Sequence, residues 1–500
     1  MTPMDLPRRS LPRCYVGQIV IAAATAVALG VALRQPTFMG ANDVSRWCTV
    51  WSLLERGSYV IDDCPWRFET QDKVYRAPKN AALVDGGPPV KHYYSSKPAL
   101  LPTLIAAILY PVRKATGVPL DAVVLQPRAT RWTQHPDPSS PLKVKGVLET
   151  PPEPVRWPVY VFYLKPIVIL CNVIPFAVYL TLFARVLDRA AGNDWAWFFA
   201  ISAAAFGTYL LPFNQTLNNH TIAAYSGFFA VYPFLRIWDQ EQATPWRFAA
   251  VGFFAAFATT NELPALALFA SLGGCLLIHY PRKTLLYFTA GAAVPLVAFA
   301  AAQYAVFGEF KLAYESFGGE EYLYEGSFWK TPLELDAFND HPEPYSVYLL
   351  HMTLGHHGFF SLTPVFLFSL WGAIRLIWQG GFRSCGLFRR PPQSPPLAII
   401  AWITLLVTAV LLAFYTWNPK ARNYGGSTQG LRWLFWIIPL WMLLLARGVE
   451  GGGASPLARR LALLALVVSA VSVGYAMRNP WTHPWILDAM EHLNLYPLSR

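Results

Sequence analysis

Lys97-Pro98-Ala99-Leu100-Leu101-Pro102-Thr103-Leu104-Ile105-Ala106-Ala107-Ile108-Leu109-Tyr110-Pro111-Val112 is the stretch on which the reading of this chain turns. Its apolar part, 98–112, is about fifteen residues long, short for a helix that must span about twenty. If it crossed a bilayer, every later loop would change sides. Arg185 with Arg189, Arg282 with Lys283, Arg383 with Arg389 and Arg390, and Arg459 with Arg460 would then all face outward. Laid in the interface, the segment keeps those clusters cytoplasmic, where short loops carry their Lys and Arg. The interfacial reading is the one adopted. It leaves the basic, proline-rich 113–158 outside, which a long loop tolerates.

Composition supports a bilayer as the solvent. Of 500 residues, 54% are hydrophobic and only 14% charged, with 19 Trp, and the mean hydropathy is +0.32. Charge this sparse fits a chain mostly in lipid. The net charge of +11 comes mostly from short clusters between apolar runs, which argues against a nucleic-acid face.

A basic tail with Arg8, Arg9 and Arg13 precedes a first span at 15–33. That span is too long for a signal-peptide core and lacks a small-residue cleavage site, so it reads as an uncleaved anchor. Later spans are expected at 159–184, 195–212, 220–237, 246–259, 263–280, 284–305, 358–378, 397–416, 431–447 and 457–476. Two of these, 246–259 and 263–280, are short and meet at Thr260-Asn261-Glu262, as a tilted or re-entrant pair would. The expected fold is all-α and polytopic, with about eleven transmembrane helices, a helical first outer loop and a cytoplasmic N-terminus. Residues 1–480 form the membrane domain, and 481–500 a short extracytoplasmic segment.

Everything chemically unusual then collects outside. The first outer loop, 35–158, opens with Asn42-Asp43-Val44-Ser45-Arg46-Trp47. This reads as a helix on the membrane surface, with Asn42 as N-cap, Asp43 in the first turn and Gly57 as the C′ stop. Trp47, Val50, Trp51 and Leu54 would form its apolar face. Other outer features are Asn218-Asn219-His220, Glu262, and the loop 306–357, which is acidic and aromatic and ends in His356-His357. Last comes Tyr424-Gly425-Gly426-Ser427-Thr428-Gln429-Gly430-Leu431-Arg432-Trp433. No Walker, GxGxxG, HExxH or CxxC pattern occurs. Of six cysteines, Cys14 and Cys385 fall inside, and Cys171 and Cys275 fall within spans. Cys48 and Cys64 alone share an oxidising compartment, which predicts a disulfide between them.

These features together resemble the GT-C membrane glycosyltransferases, such as protein O-mannosyltransferases and the lipid A aminoarabinose transferase. The likeness rests on the anchor helix, the Asp of Asn42-Asp43 on an interfacial helix, and Ser96-Lys97-Pro98-Ala99-Leu100 where relatives carry Lys-Pro-Pro-Leu. The late Gly-Gly-x-x-x-Gly-x-Arg-aromatic stretch, Gly425 to Trp433, completes it. The resemblance implies an inverting transfer of sugar from a polyprenyl-phosphate donor to a glycan, lipid or protein acceptor. It implies a site on the extracytoplasmic face of a bacterial inner or cell membrane. Asp43 would be the general base or a metal-site acid, and Lys97 and Arg432 would hold donor phosphate. A divalent cation, Mg or Mn, is admitted as a cofactor, with no metal ligands assigned. Where many relatives carry a second acid after their third span, this chain has Asn218-Asn219-His220, and the second proline of the lysine motif is Ala99.

The chemistry is coherent without the family. A sugar hydroxyl or phenol needs a carboxylate to take its proton, and a phosphate leaving group departs more easily beside fixed cations. Each residue also has a plainer reading. Asp43 could satisfy helix amides, Lys97 could snorkel, and Glu262 could pair with a nearby base. Asn219, His220, His356 and His357 could line a pocket or simply be satisfied at the interface. The adjacent His356 and His357 do not have the i, i+4 spacing of helical metal ligands. A transporter or flippase of a lipid-linked sugar is the alternative from another class; it would place charges near the midplane and show symmetric halves.

Overall fold

The computed structural model describes residues 11–34, 38–79, 89–126, 131–136, 138–139, 144–149, 154–238, 243–313, 318–327, 330, 343–380, 396–417 and 422–495. Cys385, the 383–390 basic cluster, and Glu315, Glu334, Asp336 and Asp340 of the acidic loop lie outside them.

The fold is all-α and polytopic. A helix occupies each expected span, from α1 (Leu11–Arg34) onward. Among the described residues, seven helices are long and apolar enough to cross a membrane: Arg13–Arg34, Tyr160–Ala190, Asp194–Phe213, Pro281–Phe307, Pro396–Trp417, Arg432–Gly453 and Pro456–Ala476. Leu263–His279 and Val365–Gln379 are apolar but shorter. Asp194–Phe213 and Arg432–Gly453 are the most enclosed. The peripheral helices show apolar side chains outward, among them Leu286, Val297, Leu464 and Val467, the surface expected against lipid.

Helices in lipid gain nothing from leaving water, so they associate by close packing, which small residues permit. A Cβ on Gly372 would stand 2.1 Å from the Leu444 carbonyl oxygen, and one on Gly448 only 1.8 Å from that of Phe368. Val365–Gly380 and Arg432–Gly453 therefore meet backbone to backbone.

The long segment 35–158, expected as the first outer loop, departs in its described residues from a purely helical expectation. It holds α2 (Ala41–Glu55) and α3 (Leu100–Thr116). Its described residues also form three two-stranded antiparallel ribbons. β1 (Lys73–Arg76) pairs with β2 (His92–Ser95), β3 (Val123–Gln126) with β6 (Val155–Pro158), and β4 (Arg131–Pro136) with β5 (Val144–Glu149). α3 packs on α2 through Leu101, Ile105 and Leu109 while Leu104, Ile108 and Tyr110 stay exposed. An apolar outer face on a short helix suits the interfacial position expected of it.

α2 corrects two expectations. Its N-cap is Gly40, not Asn42, and no side chain caps it; Asn42 lies inside the first turn and serves Arg46 instead. Nor is α2 an open surface helix, since every residue from Asn42 to Ser52 is buried. Trp47, Val50 and Trp51 enter the core as expected. Gly57 takes φ +65, the left-handed stop that favours glycine. The first part of the acidic loop lies on the β1–β2 ribbon: Arg76 bonds Glu309 and pairs with Glu321 at 3.2 Å, and Lys79 pairs with Glu309 at 2.7 Å.

Candidate active site

The polar face of α2 begins the site. Asp43 is 2% exposed. Its Oδ2 accepts from the Met39 amide at 3.3 Å, while among the described residues its Oδ1 completes no hydrogen bond. The carboxylate therefore does not cap its own helix. Burial pushes its carboxyl up to about 7, against the opposing pull of the Met39 amide and the Arg46 guanidinium. One turn on, the buried Arg46 donates to the carbonyls of Asn42 at 3.1 Å and Leu217 at 3.5 Å, and to Asn219 Oδ1. Burial lowers its pKa to about 10, resisted by Asp43, Asp72 and Glu262. It remains a cation at neutral pH, with carboxylates on several sides.

The β1–β2 ribbon supplies the next pair. Ser45 of α2 donates to the Asp72 carbonyl at 2.5 Å and shares a hydrogen bond with Ser95 at 2.6 Å. The Ser96 amide reaches the same carbonyl at 3.0 Å. These bonds bring Asp72 and Lys97, which flank the two strands, under α2, where Lys97 Nζ lies 2.9 Å from Asp72 Oδ1. Burial raises the Asp72 carboxyl, but Lys97, Arg432 and Arg46 together hold it below its ordinary value. Lys97 is thus ion-paired and not simply snorkelling.

The third group comes from two helix ends in the membrane domain. Asn218 Oδ1 accepts from the Thr221 amide at 2.9 Å and caps Asn219–Trp238. Asn172 ties down the preceding turn by donating to the Thr216 carbonyl at 2.7 Å. So held, Asn219 donates to the Asn261 carbonyl at 3.0 Å and to Glu262, and accepts from Arg46. His220 Nδ1 also lies against the Glu262 carboxylate. Glu262 is 7% exposed. It has the nearby base that its plainer reading anticipated.

Arg432 closes the cluster. Gly425 has φ +95, and a Cβ there would stand 3.0 Å from Arg432 Cγ and 3.1 Å from its Nε, so the glycine lets the turn lie on the arginine. The guanidinium sits 5.4 Å over the Trp481 ring, and its Nε has no hydrogen-bond partner. Among the described residues Arg432 forms no ion pair. Trp481 also faces Asp43 and lowers its pKa, although its indole N–H makes no full hydrogen bond. It packs on Gly40 and lies 6.3 Å from the His220 ring.

The structure therefore brings Asp43, Lys97, Arg432, Glu262, Asn219 and His220 into one network, linked by Arg46, Asp72 and Trp481. Those three linkers were missed by sequence reasoning. Arg46 had a signal, three residues after Asp43 on the same helical face. Asp72 and Trp481 had none, and Trp481 falls in the segment assigned to the C-terminus. His356 and His357 are not part of this network. Their Nδ1 atoms are 2.6 Å apart, within a separate set of rings that includes His351, Tyr424 and His483. Cys48 and Cys64 are both buried free thiols close enough to hydrogen-bond.

No family model matches the chain, and no curated protein matches it. Among solved structures it is similar to the archaeal oligosaccharyltransferase AglB from Archaeoglobus fulgidus, in complex with an inhibitory peptide and a dolichol-phosphate. The identity is 12% and the TM-score 0.44, and the alignment covers 98% of this chain and 59% of that one. The chain thus spans well under two thirds of that protein's length.

The carboxylates near Asp43 do not suit a divalent cation. Asp72 is engaged by Lys97, Glu262 by Asn219 and His220, and the Arg46 cation lies among them. Among the described residues, the set whose ligand atoms do converge is Glu343, His351 and His356.

Proposed function

We propose that this chain is a membrane glycosyltransferase that moves a sugar from a polyprenyl-phosphate donor to an acceptor hydroxyl on the extracytoplasmic face. The observation that carries the reading is the buried Asp43 carboxyl, one of whose oxygens completes no hydrogen bond among the described residues and whose burial pushes it up to about 7, beside a tryptophan that also stacks Arg432. A base poised near neutrality and an uncommitted cation are the two groups such a transfer needs.

Asp43 accepts the acceptor's proton as its oxygen attacks the anomeric carbon. The new C–O bond forms as the bond to phosphate breaks, and that electron pair leaves on the phosphate oxygen. Attack from the face opposite the leaving group inverts the anomeric centre. Arg432 meets the developing charge with a bidentate fork, and Lys97 contributes a point charge as it shares itself between Asp72 and phosphate. The Arg46 charge offsets part of the cost of ionising Asp43.

The test is mass spectrometry of surface glycans and glycolipids from a deletion strain complemented with wild type or Asp43→Asn. The expected result is one sugar missing with Asp43→Asn at normal protein level, with its lipid-linked donor accumulating. Unchanged glycans would contradict the proposal.

A further inference from the structure

The geometry points to a transition-metal site held by Glu343, His351 and His356, with zinc the best-suited ion. One ligand atom from each of the three lies within 4.8 Å of the others. Ligands at about 2.0–2.1 Å around a tetrahedral ion sit about 3.3 Å apart, so the set closes by side-chain rotations that turn the stacked His351 and His356 rings toward a common ion. Two imidazoles and one carboxylate suit zinc and similar borderline ions, whereas magnesium and calcium take oxygen ligands.

The chain around the set is shaped for these rings. His351 lies in the last turn of Tyr345–Thr353, and His356 returns to it with ring centroids 4.0 Å apart. Gly355 makes that return possible, because a Cβ there would stand 2.3 Å from His351 Nδ1. Outer groups hold the ligands, as metal sites require. The Tyr424 hydroxyl donates to Glu343 Oε2, and His357 Nδ1 lies 2.6 Å from His356 Nδ1. The Tyr424 ring stands edge-on to His356 at 4.8 Å and stacks on His357 at 5.0 Å.

A bound ion would fasten residue 343 and Tyr424 together. Tyr424 has φ +54 and immediately precedes Gly425, which packs on Arg432. The metal would thereby fix the turn that presents Arg432; that consequence rests on the role proposed for Arg432, whereas metal binding does not.

Tag-free protein in lipid nanodiscs, stripped with a chelator and titrated with zinc chloride, tests the site. Inductively coupled plasma mass spectrometry and calorimetry should find one zinc per chain, not displaced by millimolar magnesium. Glu343→Gln and His356→Ala should each weaken binding at least tenfold, while His92→Ala should leave it unchanged. Zinc should raise the melting temperature of wild type but not of His351→Asn, with the metal-free forms melting alike. This second reading keeps the test decisive if one variant fails to fold. Less than about a tenth of a zinc per chain, or variants that bind as wild type does, would overturn the site. Neither reading involves sugar transfer, so the result stands apart from the transferase proposal.

Discussion

Around Asp43 the buried polar groups are charges of both signs; around His356 they are imidazoles and a phenol gathered near one carboxylate. Both sets touch the stretch from Arg422 to Arg432 and the 481–483 loop, yet their burial has different consequences. In the first, Lys97 and Asp72 neutralise each other, while among the described residues Asp43 Oδ1 and Arg432 Nε complete no hydrogen bond. Leaving a carboxylate half satisfied in the interior costs several kcal/mol. A structural network would have paired it, which is why we place the chemistry there. In the second set the rings stack on one another and converge on a carboxylate, an arrangement suited to holding an ion.

The largest expected effect tests the division directly. Asp43→Asn keeps size and hydrogen bonding but removes the base, so transfer should fall by about 10² to 10⁴ with donor binding little changed. The same variant should be more stable at pH 8. The folded carboxyl titrates at about 7 and an unfolded aspartate near 3.9, so ionisation between these values opposes folding. The penalty is absent below pH 4, grows through the window and is complete above 7, where it reaches up to about 4 kcal/mol. Thermal unfolding of both proteins at pH 5 and pH 8 checks this: the gain should be larger at pH 8, and a variant less stable there would contradict it.

Arg432→Ala should come next, weakening donor binding and turnover together by roughly 10- to 100-fold, with Arg432→Lys recovering only part because the fork is lost. Binding of a fluorescent polyprenyl phosphate would read the first effect. Lys97→Ala is a sharper probe of role. It strands Asp72 and should cost about 3 kcal/mol of stability or more. Asp72→Asn in the same chain should restore the stability but not the transfer. Recovery of both would make the pair purely structural.

The smallest effect concerns Cys48 and Cys64. Oxidation of the adjacent thiols would close a loop of about sixteen residues and stabilise by roughly 3 kcal/mol in the chain-entropy model, tying α2 to the chain beyond Gly57. Non-reducing peptide mapping of protein from an oxidising compartment should find the bridge. Two free thiols would leave α2 held by packing and by its hydrogen bonds, those of Ser45 and Arg46 among them.

Much of this was readable from residues. Long apolar runs announce helices because a backbone in lipid must satisfy itself, and Gly57 announces the end of α2 because its left-handed backbone favours glycine. Asp43, Lys97, Arg432, Glu262, Asn219 and His220 stood out as polar groups at the outer ends of apolar segments. The connecting residues did not, because what joins them is long-range. Asp72 is an ordinary loop acid until the Ser45 hydroxyl and the Ser96 amide hold it under α2, and Trp481 is one of many tryptophans until Gly40 makes room for it. Asn42 misled because Ser, Thr, Asp and Asn lead the N-cap preferences, while Gly40 took the extended conformation instead. His351 escaped notice because it and His356 meet across the end of a helix, at a spacing no periodic pattern contains.

The central claim is that the Asp43 carboxylate takes the acceptor's proton, and the pH dependence of transfer at saturating donor tests it most directly. Wild type should show a rate that rises through an apparent pKa near 7, the value burial imposes on Asp43. Asp43→Asn should run flat along a floor at least a hundredfold lower. A variant that keeps the rising limb, or most of the rate, would show that the proton goes elsewhere.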